Sequence, residues 1–233
     1  MLGMGGSQLY IPILFWMGMD FKTQAIPLGL LLNIVTSSSS SITYGLKKMI
    51  NWKIAIPFSI TMMVLAPVGT WFNVNLPTEP IIIIFALFTA GAALFMLSGY
   101  KPKSGMSSKK HKIVGITGGS GLGFLAGLIG RGGGAFIVPL LYMTGIDTKQ
   151  AIATSAFIVT MAATSGFVSH IFTAANPQLD IWILNVVAVI IGSQLGSKYM
   201  AAKLDTKKIK SIFGFVLLGV ATMLLIQNFL FNA

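Results

Sequence analysis

With 233 residues, 55% of them hydrophobic and only 9% charged, the chain has a mean hydropathy of +0.83. A soluble domain of this size needs a more polar surface, so the composition excludes one and indicates an α-helical chain that crosses a membrane repeatedly. The formal net charge of +11 would suggest nucleic acid in a soluble protein, but here the lysines sit in short loops, and zero cysteines exclude disulfides, iron–sulfur clusters and thiolate metal sites.

Eight apolar stretches run in order: 2–18, 25–44, 54–72, 81–99, 113–143, 151–170, 181–199 and 209–230. None alternates with the two-residue period of a membrane barrel. The start lacks the basic flank and small-residue cleavage site of a signal peptide. The first stretch is short for a span, which needs about 20 residues, and the fifth is long for one and short for two.

A repeat accounts for both. GMGGSQLYIPILFWMGMDFK, from Gly3, aligns with GRGGGAFIVPLLYMTGIDTK, from Gly130, at a constant offset of 127. Gly5 and Gly6 match Gly132 and Gly133, Pro12 matches Pro139, Asp20 matches Asp147, and Gly69 falls on Gly196. Two homologous units are expected, 1–99 (abbreviated at its N-terminus) and 113–233, joined by a basic linker, 100–112. The second unit has an extra arm, 113–129, that the first lacks.

Lysines concentrate in 45–53, in 100–112 and in 198–210, whereas 73–80 and 171–180 have none. All three basic segments are cytoplasmic, as the positive-inside rule expects, if the fifth stretch enters and returns on one side. The expected fold is an all-α polytopic membrane protein. Its two inverted-topology repeats each have a glycine-broken re-entrant or half-helix segment followed by three transmembrane helices, an arrangement common in secondary transporters. The location expected is the cell (cytoplasmic) membrane.

Non-helical backbone at mid-membrane is tolerated only where protein buries it or water reaches it. Gly130, Gly132, Gly133 and Gly134, with Gly5, Gly6 and Ser7 in the other half, place two such breaks ahead of helix N-termini. Each terminus offers free N–H groups and about half a positive charge. Arg131, the chain's one arginine, stands in the second break, and all five acidic residues lie in loops. An arginine without a carboxylate partner beside a helix N-terminus is a good anion ligand. Alternatively it reaches the headgroups or backbone carbonyls, since Met4 holds the matching place. Gly118–Gly127 reads better as small-residue helix packing.

The second helix of each half is rich in hydroxyls: Asn33, Thr36, 37–41 and Tyr44 in one, and Thr154, Ser155, Thr160, Thr164, Ser165, Ser169 and His170 in the other. Ser37, Thr154 and Ser155 are the candidate hydroxyl ligands, although hydroxyls also hold helices together. Asp147 with Gln150 has the spacing of a helix cap, Trp52 and Trp182 read as interface anchors, and His170 reads as interfacial. No metalloprotease, nucleophile-elbow or phosphate-loop motif is present, so no enzyme, cofactor or metal site is expected.

GLIGRGGGAFIVPLLYMTGIDTKQAIATSAFIV resembles the glycine-rich, proline-containing motif and A-x-x-T-S helix start of the TauE/SafE sulfite exporter family. The duplication extends the resemblance over essentially the whole chain. Position 131 is usually apolar in that motif, and Ser7 stands where a third glycine is usual. The resemblance implies a transporter of sulfite, sulfonates or other small anions. The expected function is export of a small sulfur-containing oxyanion through a site between the two glycine breaks. Import of a sulfur-containing or carboxylate anion, or an anion channel, is the alternative. The partners expected are the anion and the bilayer, with no nucleic acid and the oligomeric state open.

Overall fold

In a computed structural model the described residues are 3, 5–98, 108–129, 134–171 and 179–231. Among them the chain is all helix: α1 (Ser7–Trp16), α2 (Ile26–Leu46), α3 (Trp52–Asn75), α4 (Thr78–Leu97), α5 (Ser108–Ile129), α6 (Gly134–Met143), α7 (Thr148–Ile171), α8 (Leu179–Lys203) and α9 (Thr206–Phe231). Four helical stretches among the described residues, Lys22–Leu46, Trp52–Asn73, Thr148–Ile171 and Trp182–Lys203, are long and apolar enough to cross a membrane. The protein is a multi-pass membrane protein. The fifth apolar stretch of the sequence is two helices, α5 and α6, and the first is a ten-residue helix.

Turn chemistry sets the boundaries. α1 ends in a Schellman motif: Gly18 at φ 89° donates to Phe15 O, and Met19 donates to Leu14 O. α6 ends with Gly145 at φ 85°, whose N–H donates to Tyr142 O. After each of these turns an aspartate caps the next segment. Asp20 Oδ1 accepts from the N–H groups of Lys22 and Thr23 and from the Thr23 hydroxyl, while Gln24 Oε1 accepts from Asp20 N–H in return. Those bonds, above all the two from Thr23, hold the Asp20 carboxyl below its ordinary pKa. Asp147 Oδ2 likewise accepts from Lys149 N–H at 2.9 Å. A single π-helical turn, Phe21–Ala25, leads into α2, where Pro27 stands in the first turn because its missing N–H needs no partner there.

Packing pairs α2 with α7, α4 with α9, and α3 with both α5 and α7. The α3–α5 contact is made of glycines. A Cβ built on Gly115 would lie 3.1 Å from Pro57 Cγ, on Gly119 2.8 Å from Phe58 O, on Gly123 2.7 Å from Met62 Cα, and on Gly127 1.9 Å from Ala66 O. The regular advance along both chains means that α3 and α5 run parallel, backbone against backbone, as small-residue membrane interfaces do. α6 then comes back along α5, since a Cβ on Gly118 would meet Leu140. The main apolar core joins α3, α6, α7 and α9 (Phe58, Ile137, Val159 and Phe213); a smaller one joins α1 to α2 and reaches α8 (Ile11, Leu28, Trp182).

One sequence reading changes. His170 is buried at 1% exposure rather than interfacial, as is its counterpart Tyr44 at 0%. Trp52 is half exposed and stacks edge-on against Phe157. Polar ties that the sequence does not announce join distant helices. Gln194 on α8 donates to Ser39 O and Oγ on α2 and accepts from Thr43. Lys22 Nζ donates to Asn73 O (3.1 Å) and Leu76 O (3.0 Å) at the end of α3, two carbonyls that the helix itself leaves unpaired. Replacing Lys22 by Met should lower stability by about 1 kcal/mol, below the usual range for a charged donor because the site is partly open. A thermal melt of the detergent-purified variant reads this as a small downward shift.

Candidate functional site

The start of α1 lies among α2 and α7, and glycine is what lets it reach there. Gly3 and Gly5 have φ of 71° and 67°, in the left-handed region that side chains other than glycine rarely enter. A Cβ on Gly3 would fall 2.4 Å from Ile152 O on α7, and one on Gly5 only 1.5 Å from Asn33 Oδ1 on α2. Both space and torsion therefore require glycine. The contact brings the chain close enough for two hydrogen bonds from opposite sides. Ser155 Oγ donates to Gly3 O at 2.7 Å, and Gly6 N–H donates to Asn33 Oδ1 at 2.9 Å.

Around that entry the polar groups are sorted. Thr36 gives its hydroxyl proton to Leu32 O, so Tyr10, 3.2 Å away, donates to Thr36 Oγ1. Ser37 donates to Asn33 O at 2.5 Å. Two groups are left over. The Ser7 hydroxyl and the Asn33 side-chain amide nitrogen belong to residues at 0% exposure, and neither atom has a hydrogen-bond partner among the described residues. An unpaired buried donor costs about 1–3 kcal/mol, and these two belong to residues that meet where α1 begins beside α2.

The residues singled out in the sequence fall in several places. Gly5, Gly6, Ser7 and Ser155 meet at the start of α1. Ser37 is one turn along α2 and is spent on its own helix. Thr154 faces elsewhere: its Oγ1 accepts from Asn51 N–H at 3.0 Å and so secures the start of α3. Gly134 is the buried first residue of α6. Gly130, Arg131, Gly132 and Gly133 lie outside the described residues. Asn33 is the group that the expected ligand set leaves out. Its signal was a lone amide in an otherwise apolar turn, but its partner Gly6 is 27 residues away. Among the described residues no group of His, Asp, Glu or Cys could hold a metal ion.

An all-helical, multi-pass chain with buried polar groups between the start of α1 and two long spans suits a membrane transporter. The model of the family described as Sulfite exporter TauE/SafE matches residues 1–224, and the chain belongs to that family. A probable membrane transporter protein of Methanocaldococcus jannaschii is 26% identical to it, over 93% of this chain and 86% of its own. The probable membrane transporter protein YunE of Bacillus subtilis is 27% identical, over 98% of this chain and 92% of its own. No solved structure gave a significant match.

Proposed function

We propose that the protein exports a small sulfur-containing oxyanion, sulfite or an organosulfonate, across the cytoplasmic membrane. The observation that carries this is the pair of buried polar groups unpartnered among the described residues, the Ser7 hydroxyl at the start of α1 and the Asn33 amide nitrogen of α2 beside it, together with membership of a sulfite exporter family. Gly5, Gly6 and Ser7 form one side of the site and Gly130, Arg131, Gly132, Gly133 and Gly134 the other, with Ser155 fixing the first and Arg131 supplying the full positive charge. Ser37 and Thr154 border it as helix-supporting hydroxyls.

The architecture behind this proposal is a pair of inverted repeats, 1–99 and 113–233, with a linker at 100–112. Three relations support it. α1 and α6 both have ten residues, and their bounds differ by the repeat offset of 127. The parallel run of α5 along α3, followed by the return of α6, suits a re-entrant arm broken at 130–133. Contacts beside the basic segments are compatible with one common end: Asn51 meets Thr154 near the start of α7, Gly115 meets Pro57 near the start of α3, and Lys210 Nζ lies over the Tyr142 ring at the end of α6. The positive-inside rule then makes 45–53, 100–112 and 198–210 cytoplasmic.

No acidic residue lies within a span to relay protons, so the membrane potential is the simplest driving force. It favours each exported negative charge by about 2.3 kcal/mol per 100 mV. In proteoliposomes loaded with sulfite, efflux should rise with an imposed potential and fall at least tenfold in Arg131→Met. Electroneutral, proton-dependent flux would overturn the driving force. Undiminished flux in Arg131→Met would remove the arginine from the site.

A further inference from the structure

Where α2 ends, a cavity that anion transport leaves unused opens between α2, the start of α3 and α7. Its volume is about 410 Å³, and Ile42, Leu46, Trp52, Phe157 and Met161 supply apolar wall. Two hydroxyls on it are spent on their own helices. Ser38 donates to Val35 O at 3.2 Å, and Thr160 donates to Ala156 O at 2.9 Å. The cavity therefore offers mainly hydrocarbon. Water finds too few partners in such a space, which suits an apolar group instead.

Its surroundings tell which one. Ile42 and Leu46 are 62% and 81% exposed, so the cavity opens outward, where the bilayer lies. Trp52, half exposed, is held edge-on against Phe157 with ring centroids 5.0 Å apart. A tryptophan so placed on a span marks the depth of the headgroups. Lys47 directly follows Leu46 and Lys53 directly follows Trp52, with Lys48 between them, and all three are exposed. The turn that carries them is tied down: Lys48 N–H donates to Gly45 O, Met49 N–H to Tyr44 O, and Asn51 N–H to Thr154 Oγ1 on α7. No acidic residue stands between Asp20 and Glu79 in this part of the chain. A second copy docked face to face here would set one lysine cluster against the other, which like-charge repulsion opposes.

From an apolar cavity rimmed by cations we infer a binding site for one anionic phospholipid: an acyl chain enters between α2 and α7, and the phosphate sits among Lys47, Lys48 and Lys53. Basic pockets between membrane helices hold acidic headgroups in this way, and each lysine near the surface adds roughly fivefold in affinity. Because α2 and α7 hold the start of α1 through Asn33 and Ser155, the lipid braces the two helices on which that entry depends. The site is independent of which anion the protein moves.

Delipidated protein in a neutral detergent tests this with two lipids of matched chains, phosphatidylglycerol and phosphatidylcholine. Phosphatidylglycerol should raise the melting temperature at concentrations about tenfold to a hundredfold below those that phosphatidylcholine needs. Native mass spectrometry should find it retained, one per chain. Gly45→Leu fills the cavity, since a Cβ there meets only Ile50 Cδ1, at 3.8 Å. That variant should fold and lose the retained lipid. Replacing Lys47, Lys48 and Lys53 together by Gln removes exposed charges only, and should bring phosphatidylglycerol down to the level of phosphatidylcholine. Replacing Lys203, Lys207 and Lys208 by Gln removes the same charge from another basic segment and should keep the preference. Equal stabilisation by the two lipids, lipid retained by Gly45→Leu, or equal losses in the two triple variants overturns the site. So does a dimer that Gly45→Leu dissociates, which would assign the cavity to a second copy of the chain.

Discussion

Gly5→Ala should cut sulfite efflux by more than tenfold while leaving an inserted, folded protein. Two effects coincide at this position. The φ of 67° costs a residue with a Cβ roughly 1–2 kcal/mol. The Cβ itself would lie 1.5 Å from Asn33 Oδ1, so the amide must leave Gly6 or the α1 entry must withdraw from α2. Either response dismantles the contact that holds the start of α1 against α2. The fold survives because α1 adds only to the smaller apolar cluster, whereas the main core joins α3, α6, α7 and α9. Gly18→Ala separates strain from collision. Gly18 has an even larger φ of 89° but nothing within 4 Å of its Cβ position. That variant should lose about 1 kcal/mol of stability and keep its transport. Efflux from preloaded proteoliposomes, set beside a thermal melt of each variant, distinguishes the two; equal transport losses would mean that backbone strain, not the Asn33 contact, is what matters.

Elements whose signal is local were legible in the sequence. Apolar runs marked α2, α3, α7 and α8 because a span must be long and apolar wherever it packs. The glycines at 119, 123 and 127 read as packing because a four-residue spacing keeps them on one helix face, which in the structure lies on α3. The duplicated Gly-Gly and Asp-Lys positions pointed to the start of α1, and Asp20 and Asp147 do cap the π-helical turn and α7 respectively.

Features that depend on partners far apart in the chain were not legible. The hydroxyl-rich face of α2 looked like a row of ligands. Buried serines and threonines also satisfy themselves on the carbonyl a turn earlier, as Thr36, Ser37 and Ser38 do. Ser155 and Thr154 are neighbours in sequence and look equivalent, yet one donates to Gly3 O and the other accepts from Asn51. Asn33 and Gln194 are single amides whose partners lie 27 and 155 residues away, a separation that no helical periodicity reports.

The second large effect falls on stability. Gly127→Ala should unfold or misassemble the protein, with a loss of about 3 kcal/mol or more, the upper end for an overpacked contact. The added Cβ would come 1.9 Å from Ala66 O and 2.9 Å from Thr70 N, and both are backbone atoms that no rotamer change can move aside. Relief requires α5 to separate from α3. The contact is mutual, since a Cβ on Gly69 of α3 would lie 2.1 Å from Phe124 O. Separation also strains the bond from Asn73 Nδ2 to Leu128 O, two residues before Gly130 of the proposed site, so surviving protein should transport poorly. Gly121→Ala is the matched control on the same helix. It is exposed with nothing within 4 Å, and should be neutral or gain up to about 1 kcal/mol from helix propensity. Opposite signs from one substitution six residues apart are what a close backbone interface predicts. Equal melting temperatures for the two variants would show that α3 and α5 do not approach this closely in the membrane.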